Sequence, residues 1–217
     1  MKMIVARMDL VLVCLVSVHV LAAQTSRIMP KAATDSLFSE QRKTALDIKY
    51  PIVRAYQYSD KSGRYYLALT ERSLPLLNGK DTIITHIEAF CLQDDNGRLV
   101  QKWKMKDAMD TTEYKIWFWT KFMEVKDLDK DGYIEPLLVY GSTGVSEEGM
   151  GRRVKILLYY KGNKIAVRAV PGATDDDPRT LQIDKEFSTL PPPIQSYLHT
   201  LMRHMNREYE QYLFPNH

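Results

Sequence analysis

Short segments in which apolar and polar residues alternate run through most of the chain after residue 50. A period of two is typical of β-strands, because successive side chains point to opposite faces of a sheet. In residues 98–106, for example, one face carries Leu99, Gln101 and Trp103 and the other Val100, Lys102 and Lys104. The pattern predicts seven or eight strands, at residues 52–58, 64–71, 82–92, 98–106, 114–125, 136–140, 153–160 and 164–170.

Turn sequences that contain glycine separate several of these segments. They are Asp60-Lys-Ser-Gly63, Asn78-Gly79 within the loop 74–80, Asp94-Asp-Asn-Gly97 and Lys161-Gly-Asn163. Glycine and asparagine tolerate the positive φ angles that tight hairpin turns require. The strands are therefore expected to pair with their neighbours in antiparallel order.

The last segment changes to a helical period. Apolar residues recur at steps of three, four or seven, at Ile194, Leu198, Leu201, Met205 and Tyr212. Three prolines at 191–193 precede them, and proline is tolerated in a first helical turn, where its missing N–H has no partner to lose. The pattern predicts an amphipathic helix whose apolar face packs against the sheet.

These elements predict an α+β fold in which β structure predominates. The expected architecture is a single antiparallel sheet, or a sandwich, of about seven to eight strands with a C-terminal amphipathic helix. Residues 50–217 should form this single domain, and no internal repeat indicates a propeller. Residues 24–49 are polar, with only Leu37 and Phe38 as anchors, and are interpreted as a flexible leader with at most one short helical turn.

Residues 1–23 have the features of a secretory signal peptide. Lys2 and Arg7 give a positive start, residues 10–21 are nearly all apolar, and Ala22 and Ala23 are small. The apolar run is too short for the roughly 20 residues that span a bilayer, so an uncleaved anchor is the weaker alternative. A lipoprotein anchored at Cys14 is also weaker, because the apolar run continues beyond that cysteine. The prediction is an exported protein, periplasmic or at the cell surface, without a transmembrane segment once the signal is removed.

Net charge and cysteine content exclude some classes of partner and site. Removal of Lys2, Arg7 and Asp9 with the signal leaves 28 basic and 26 acidic side chains, a net charge of only +2. This balance argues against a nucleic-acid partner, which would require a basic surface. Cys91 becomes the only cysteine, so no internal disulfide can form, and its apolar neighbours predict a buried side chain rather than a nucleophile.

The segment 127–135 is the strongest chemical motif. Aspartates alternate toward a glycine and a glutamate follows: Asp127, Asp129, Asp131, Gly132, Tyr133 and Glu135. Carboxylates at every second position of a tight loop can converge on one hard cation, with the carbonyl oxygen of Tyr133 as a further ligand. In a helix-loop-helix calcium site a glutamate would stand at position 12, but Leu138 occupies that position within a predicted strand. With strands on both sides, the loop resembles the calcium loops of integrin-type repeats.

Two interpretations of this loop remain open. A calcium ion neutralises the four carboxylates, or the carboxylates point into solvent while each aspartate caps a backbone N–H. For the calcium interpretation, the expected Kd is on the order of 10⁻⁴ to 10⁻³ M, as in extracellular modules. Such an ion would be structural.

Other candidate sites are weaker. The glycine-rich segment 144–152 lacks the lysine and the following helix of a phosphate-binding loop, so a hairpin connection is favoured, with Glu147, Glu148 and Arg152 as its contact residues. His86 and Glu88 share a strand face, but no third ligand at metal-binding spacing completes the set. The acidic run at 175–177 is interpreted as a solvated loop. Exposed aromatic rows could stack on sugar rings, although a sheet face covered by the C-terminal helix is favoured.

The order of three segments is similar to that in a family of exported bacterial proteins labelled surface polysaccharide biosynthesis. These are the strand that ends at Trp103, the acidic loop with the strand that follows to Tyr140, and the hairpin at 155–168. The resemblance covers residues 97–169, and only the acidic loop is a specific motif. It implies a pathway without a known reaction or catalytic residues. Between residues 140 and 155 the family has a cysteine and an Asp-x-Ser-Pro, and this chain has neither.

Three hypotheses follow from the sequence. The favoured one is a non-enzymatic exported domain with a structural calcium ion, which serves the cell envelope or its polysaccharide. The second is a carbohydrate-active enzyme, which would require two carboxyl groups about 5 to 9.5 Å apart across a cleft. The third is a module that binds glycan or an envelope protein through aromatic side chains or the loop 141–151.

Overall fold

Eleven strands form two antiparallel sheets in the computed structural model, which describes residues 25–76, 81–144, 151–171, 179–208 and Phe214. The five-stranded sheet contains β1 (Thr25–Ile28), β2 (Ile52–Asp60), β3 (Gly63–Pro75), β4 (Thr82–Asp95) and β5 (Arg98–Ala108), paired in chain order. The six-stranded sheet contains β6 (Glu113–Phe118), β7 (Glu124–Lys126), β8 (Glu135–Gly144), β9 (Gly151–Tyr160), β10 (Asn163–Val170) and β11 (Thr180–Ile183). Its order is β11-β10-β9-β8-β6, and β7 also pairs with β8.

The β-predominant α+β class with a C-terminal helix is confirmed, while the strand count of seven to eight is too low and a single sheet is wrong. The expected strand at 114–125 is divided into β6 and β7 by a 3-10 turn at Thr120–Phe122. Both halves still pair with β8, Phe118 opposite Tyr140 and Glu124 opposite Leu137. Aromatic residues favour strands wherever they stand, so composition does not reveal the interruption.

The expected flexible leader is instead structured over residues 25–49. After β1 the chain forms two short helices, α1 (Lys31–Leu37) and α2 (Glu40–Ala45), and the Ser39 side chain caps α2 by accepting a hydrogen bond from the Arg42 N–H. Phe38 and Ile48 are buried against the five-stranded sheet. Two apolar anchors among many polar residues give almost no periodic signal, which explains the wrong prediction.

Alternation along β3 and β4 gives the five-stranded sheet two buried faces. Leu67, Leu69, Ala89 and Cys91 face the main core, while the intervening residues Tyr66, Ala68, Phe90 and Leu92 pack beneath the N-terminal helices. Cys91 is only 2% exposed, as its apolar surroundings predicted. The main core lies between this sheet and the six-stranded sheet, whose strand β8 is buried along its whole length.

The C-terminal helix α3 (Pro192–Glu208) covers the main core beside the six-stranded sheet. Its predicted apolar residues Ile194, Leu198, Leu201 and Met205 are buried, and Met202 joins them. The ring of His204 lies edge-on to Phe122 at 5.6 Å, and Lys121 pairs with Glu208, so the helix contacts the 3-10 turn before β7. No described helix is both long and apolar enough to cross a bilayer. The predicted signal at 1–23, the acidic run at 175–177 and Tyr212 lie outside the described residues.

Candidate functional site

The acidic loop connects β7 to β8 within the six-stranded sheet. Lys126 pairs with Glu135 in the antiparallel register, so the strands bring the two ends of the loop together. Glu135 begins β8 and is 1% exposed, whereas Asp127, Asp129 and Asp131 are half-buried. Strand pairing therefore places the glutamate beneath the three aspartates.

One carboxylate oxygen from each of Asp127, Asp129, Asp131 and Glu135 lies within 4.8 Å of all the others. Calcium–oxygen distances of about 2.3 to 2.6 Å would place two opposite ligands about 4.6 to 5.2 Å apart. The four groups could thus hold a metal ion, and their spacing fits one of calcium size. The side chain of Tyr133 is 41% exposed, and the role of its carbonyl oxygen stays a prediction.

Hydrogen bonds inside the loop fix the carboxylates. Gly132 N–H donates to Asp127 Oδ2 at 3.0 Å, Tyr133 N–H to Asp131 Oδ1 at 2.9 Å, and Leu128 N–H to Glu135 Oε2 at 2.8 Å. The backbone caps expected of a simple aspartate turn are therefore present together with the convergence expected of a cation site. Because each carboxylate has two oxygens, both features can coexist.

Gly132 is required for two reasons. Its φ angle of +98° lies in the region that side chains rarely adopt, and an added Cβ would lie 2.2 Å from Lys61 Cε. Lys61 follows β2 in the five-stranded sheet, and its ammonium group donates to the Asp131 carbonyl oxygen at 2.7 Å. The glycine thus lets a side chain from the opposite sheet lie across the loop.

The loop also makes backbone contacts with that sheet. Lys61 N–H donates to the Gly132 carbonyl oxygen at 3.1 Å, and Ile134 N–H donates to Asp60 Oδ2 at 3.1 Å. Asp60 is 7% exposed and also accepts a hydrogen bond from the Ser62 N–H at 2.7 Å. The turn between β2 and β3 is therefore hydrogen-bonded to the acidic loop, and the loop joins two sheets rather than only two strands.

The charge of the loop is only partly balanced. Burial raises the pKa of Glu135 to about 7, and the charges of Asp129, Asp127 and Asp131 act in the same direction. Burial would also raise the pKa of Asp131, but the hydrogen bond from Lys161 outweighs it, and that pKa is lowered. Lys161 Nζ lies 2.9 Å from Asp131 Oδ2. Two lysines thus contact a loop that carries four carboxylates.

A cavity of about 500 Å³ adjoins the loop. Its wall includes Ile134 and Pro136, directly before and after Glu135, and Asp60 at the end of β2. Five aromatic side chains also line it: Tyr58, Tyr65, Trp103, Tyr133 and Tyr159. The sequence suggested aromatic surface on the strands, but it did not place these rings together, because they come from five separate segments.

A second charged cluster, which the sequence did not predict, also links the sheets. Arg153 of β9 donates through Nη1 to Asp107 Oδ2 at 2.8 Å and through Nη2 to Glu113 Oε2 at 3.0 Å. Lys155 Nζ adds a contact of 2.8 Å to Asp107. Burial opposes ionisation of both acids, but hydrogen bonds from Lys155 and Arg153 to Asp107, and from Arg153 and Ser142 to Glu113, lower both pKa values.

The remaining sequence candidates do not assemble into sites in the described part of the chain. Glu88 pairs with Lys104 at 3.1 Å, and His86 lies beside Thr85 instead of joining a metal group. Two further histidines, His199 and His204 of α3, lie edge-on to phenylalanine rings. Gly144, the first residue of the glycine-rich segment, is the last residue of β8. The contact residues Glu147 and Glu148, with all of residues 145–150, lie outside the described residues.

Comparisons with protein-family models, with curated proteins and with solved structures give no match. The geometry and chemistry of the acidic loop and its surroundings are therefore the basis for a function.

Proposed function

We propose that the chain is a non-enzymatic, exported cell-envelope protein in which a structural calcium ion fastens two β-sheets. The ligands would be the carboxylates of Asp127, Asp129, Asp131 and Glu135 and the carbonyl oxygen of Tyr133. The observation that carries the proposal is the convergence of four carboxylate oxygens within 4.8 Å on a loop that is hydrogen-bonded to the opposite sheet.

The surroundings of the loop favour a structural ion over a catalytic one. Glu135 is buried and hydrogen-bonded to Leu128 N–H, and the three aspartates cap or contact groups of the loop itself. Among the described residues, one carboxylate lies in the wall of the adjoining cavity, that of Asp60, which already accepts hydrogen bonds from Ser62 and Ile134. Glycosidic hydrolysis would require a facing pair of carboxyl groups, so the cavity does not support the enzyme hypothesis.

The expected stabilisation is modest. At about 1 mM calcium and a Kd of ~10⁻⁴ M, binding contributes about 1.4 kcal/mol to the free energy of unfolding. An ion of this affinity would be bound where free calcium is near millimolar, which agrees with the export predicted from residues 1–23. The cytosol would leave such a site largely empty of calcium.

The partner proposal follows from sequence alone. The resemblance over residues 97–169 to the exported family labelled surface polysaccharide biosynthesis suggests that cell-surface polysaccharide, or an envelope protein that handles it, is the partner. The aromatic cavity beside the loop supports a binding role as the second candidate, as a glycan- or protein-binding module.

Thermal unfolding with calcium or with chelator tests the proposal. We expect calcium to raise the Tm of the wild-type protein and to have no such effect on Asp129→Asn, which keeps the size of the side chain but removes its charge. Asp95→Asn, at the end of β4 beside its glycine turn, is the matched control and should retain the full calcium response. An equal Tm of the wild-type protein in calcium and in chelator would reject the structural ion.

A further inference from the structure

Residues of both sheets line the cavity beside the acidic loop. Its volume of about 500 Å³ falls within the range of about 300 to 1,000 Å³ that is typical of small-molecule sites. Tyr58 and Trp103 come from the five-stranded sheet, and Pro136 and Tyr159 from the six-stranded sheet. A cavity at the junction of two sheets, with mostly aromatic and apolar walls, is the kind of place where proteins bind small molecules.

Neighbouring contacts hold the aromatic walls in place. Trp103 and Tyr159 stack across the sheets with centroids 3.6 Å apart, and Tyr58 stacks on Tyr65 with centroids 5.1 Å apart. The Tyr58 hydroxyl is hydrogen-bonded to Cys91 at 3.2 Å. Rings fixed in this way lose little conformational entropy when a ligand packs against them.

Two lysines give the cavity a positive character. Lys102 of β5 and Lys161 of the β9–β10 turn both line it, and Lys102 makes no ion pair among the described residues. Asp60, the one acidic side chain that the described part of the chain contributes to the wall, accepts hydrogen bonds from Ser62 N–H, Ser62 Oγ and Ile134 N–H. Burial raises the pKa of Cys91 to about 12, so the thiol is neutral at physiological pH. Lys161 is paired with Asp131, so Lys102 is the lysine whose charge is open to a ligand of opposite sign.

We propose that this cavity binds a six-membered ring compound that carries one carboxylate group. The ring would pack against Tyr58, Tyr65 and Trp103, and the carboxylate would be held by Lys102 with help from Lys161. Aromatic acids and acidic sugars share this chemistry: the first offers a flat apolar face, the second an apolar face with hydroxyls that can reach the hydroxyls of Ser62 and the tyrosines.

The cavity proposal does not depend on the calcium proposal. None of the four loop carboxylates lines the cavity, and Lys102 belongs to the other sheet. Titrations in chelator and in calcium therefore separate the two: absence of a calcium effect on Tm would reject the ion, whereas ligand binding would still be measurable. Lys161 contacts both regions, so Lys102 is the better residue to test.

The test is a titration followed by NMR, with the indole N–H of Trp103 as reporter. The probes are benzoate and glucuronate, with benzyl alcohol and methyl glucoside as neutral counterparts. We expect at least one acid to shift the Trp103 signal in a saturable way and to bind more tightly than its neutral counterpart. Saturation by benzoate alone would identify an aromatic-acid site, and saturation by glucuronate alone an acidic-sugar site.

Variants of β5 complete the test. Lys102→Gln should raise the Kd of the bound acid by about two- to fivefold, the range expected for a partly exposed ion pair. Lys106→Gln, on the same strand but outside the cavity, should leave the Kd unchanged. The proposal is overturned if neither acid binds, if the neutral compounds bind as tightly as the acids, or if the two variants behave alike.

Discussion

Two charged clusters join the sheets at opposite ends of β8, and they are built differently. The cluster around Arg153 pairs two acids, Asp107 and Glu113, with two basic side chains, Arg153 and Lys155. The acidic loop brings four carboxylates together, of which Asp131 pairs with Lys161, while Lys61 contacts a backbone carbonyl. In the first cluster the basic side chains equal the acidic ones in number, whereas in the second the acidic side chains are in excess.

The pKa values of Asp107 and Glu113 in the first cluster and of Glu135 in the second shift in opposite directions. Hydrogen bonds from basic side chains overcome burial at Asp107 and Glu113 and lower both pKa values. At Glu135 burial and the neighbouring aspartates act together and raise the pKa to about 7. A charge-balanced cluster is complete as an inter-sheet bridge, while the acidic loop would gain from a cation. We therefore expect only the loop to respond to calcium.

The largest loss of stability should come from disrupting the charge-balanced cluster of Arg153, Lys155, Asp107 and Glu113. Arg153→Met leaves Glu113 and Asp107 without their main partner, and removal of one member of a buried ion pair costs about 3 to 5 kcal/mol. Urea unfolding at pH 7 measures the loss, which should be the same in calcium and in chelator. Arg168→Met removes a more exposed pair with Asp184 and should cost about 1 kcal/mol or less. A calcium-dependent loss for Arg153→Met would contradict the separation of the two clusters.

The next largest effect is a dependence of stability on pH, measured in the presence of chelator. The folded pKa of Glu135 is raised from an unfolded value near 4.5 to about 7, so the folded state retains this proton between those values. Stability should therefore fall as the pH rises from about 4.5 to 7, by on the order of 3 kcal/mol for this residue. Urea unfolding of the wild-type protein and of Glu135→Gln over this range isolates the contribution.

The balanced cluster should respond to pH in the opposite sense. The folded pKa values of Asp107 and Glu113 are lowered, so their contribution is present above the unfolded values near 4 and is lost at more acidic pH. Glu135→Gln should leave this loss of stability at acidic pH unchanged. If the variant kept the same decline between pH 4.5 and 7 as the wild-type protein, the assignment to Glu135 would be wrong.

A smaller effect is expected from Gly132→Ala. Positive φ costs a non-glycine residue about 1 to 2 kcal/mol, and the added Cβ displaces the flexible end of Lys61 and its hydrogen bond to Asp131, worth about 1 kcal/mol more. Gly97→Ala is the matched control, because Gly97 has a φ of +88° with no atom near the added Cβ. Chemical denaturation should give a lower free energy of unfolding for Gly132→Ala than for Gly97→Ala. Equal losses would show that the Lys61 contact contributes nothing.

The smallest effect should appear in the calcium affinity of Lys161→Gln. The Lys161 ammonium competes with a cation for Asp131, so its removal should lower the Kd for calcium by about two- to fivefold. Lys155→Gln, in the balanced cluster, should leave the affinity unchanged. Calcium titrations of the two variants at low ionic strength compare them directly. A weaker affinity for Lys161→Gln would mean that the lysine supports the site rather than competes for it.

The sequence predicted the elements whose signal is local. The strands β2 to β5 and β8 to β10 were identified because alternation and glycine turns mark them, and the predicted starts lie within two residues of those observed. The N-terminal helices were missed because only two apolar residues of that region, Phe38 and Ile48, are buried in the core. The short strands β1, β7 and β11 contain too few residues for alternation to be recognised.

The same distinction applies to the sites. The four acidic groups of the loop lie within nine consecutive residues, so their spacing alone indicated that they could converge. The contact of Lys61 with Gly132 spans about 70 positions, and Arg153 lies 40 or more positions from its acidic partners. Such contacts, like the aromatic cavity, depend on how strands that are distant in sequence pair within a sheet and pack between sheets, and one sequence carries no local signal for that arrangement.

The central claim is that the acidic loop holds calcium. A crystal structure of the protein grown with 10 mM calcium chloride, with anomalous data, tests it most directly. The account predicts an anomalous peak at about 2.3 to 2.6 Å from oxygens of Asp127, Asp129, Asp131 and Glu135 and from the Tyr133 carbonyl. A structure under these conditions with no peak there, and with Lys161 still paired to Asp131, would contradict it.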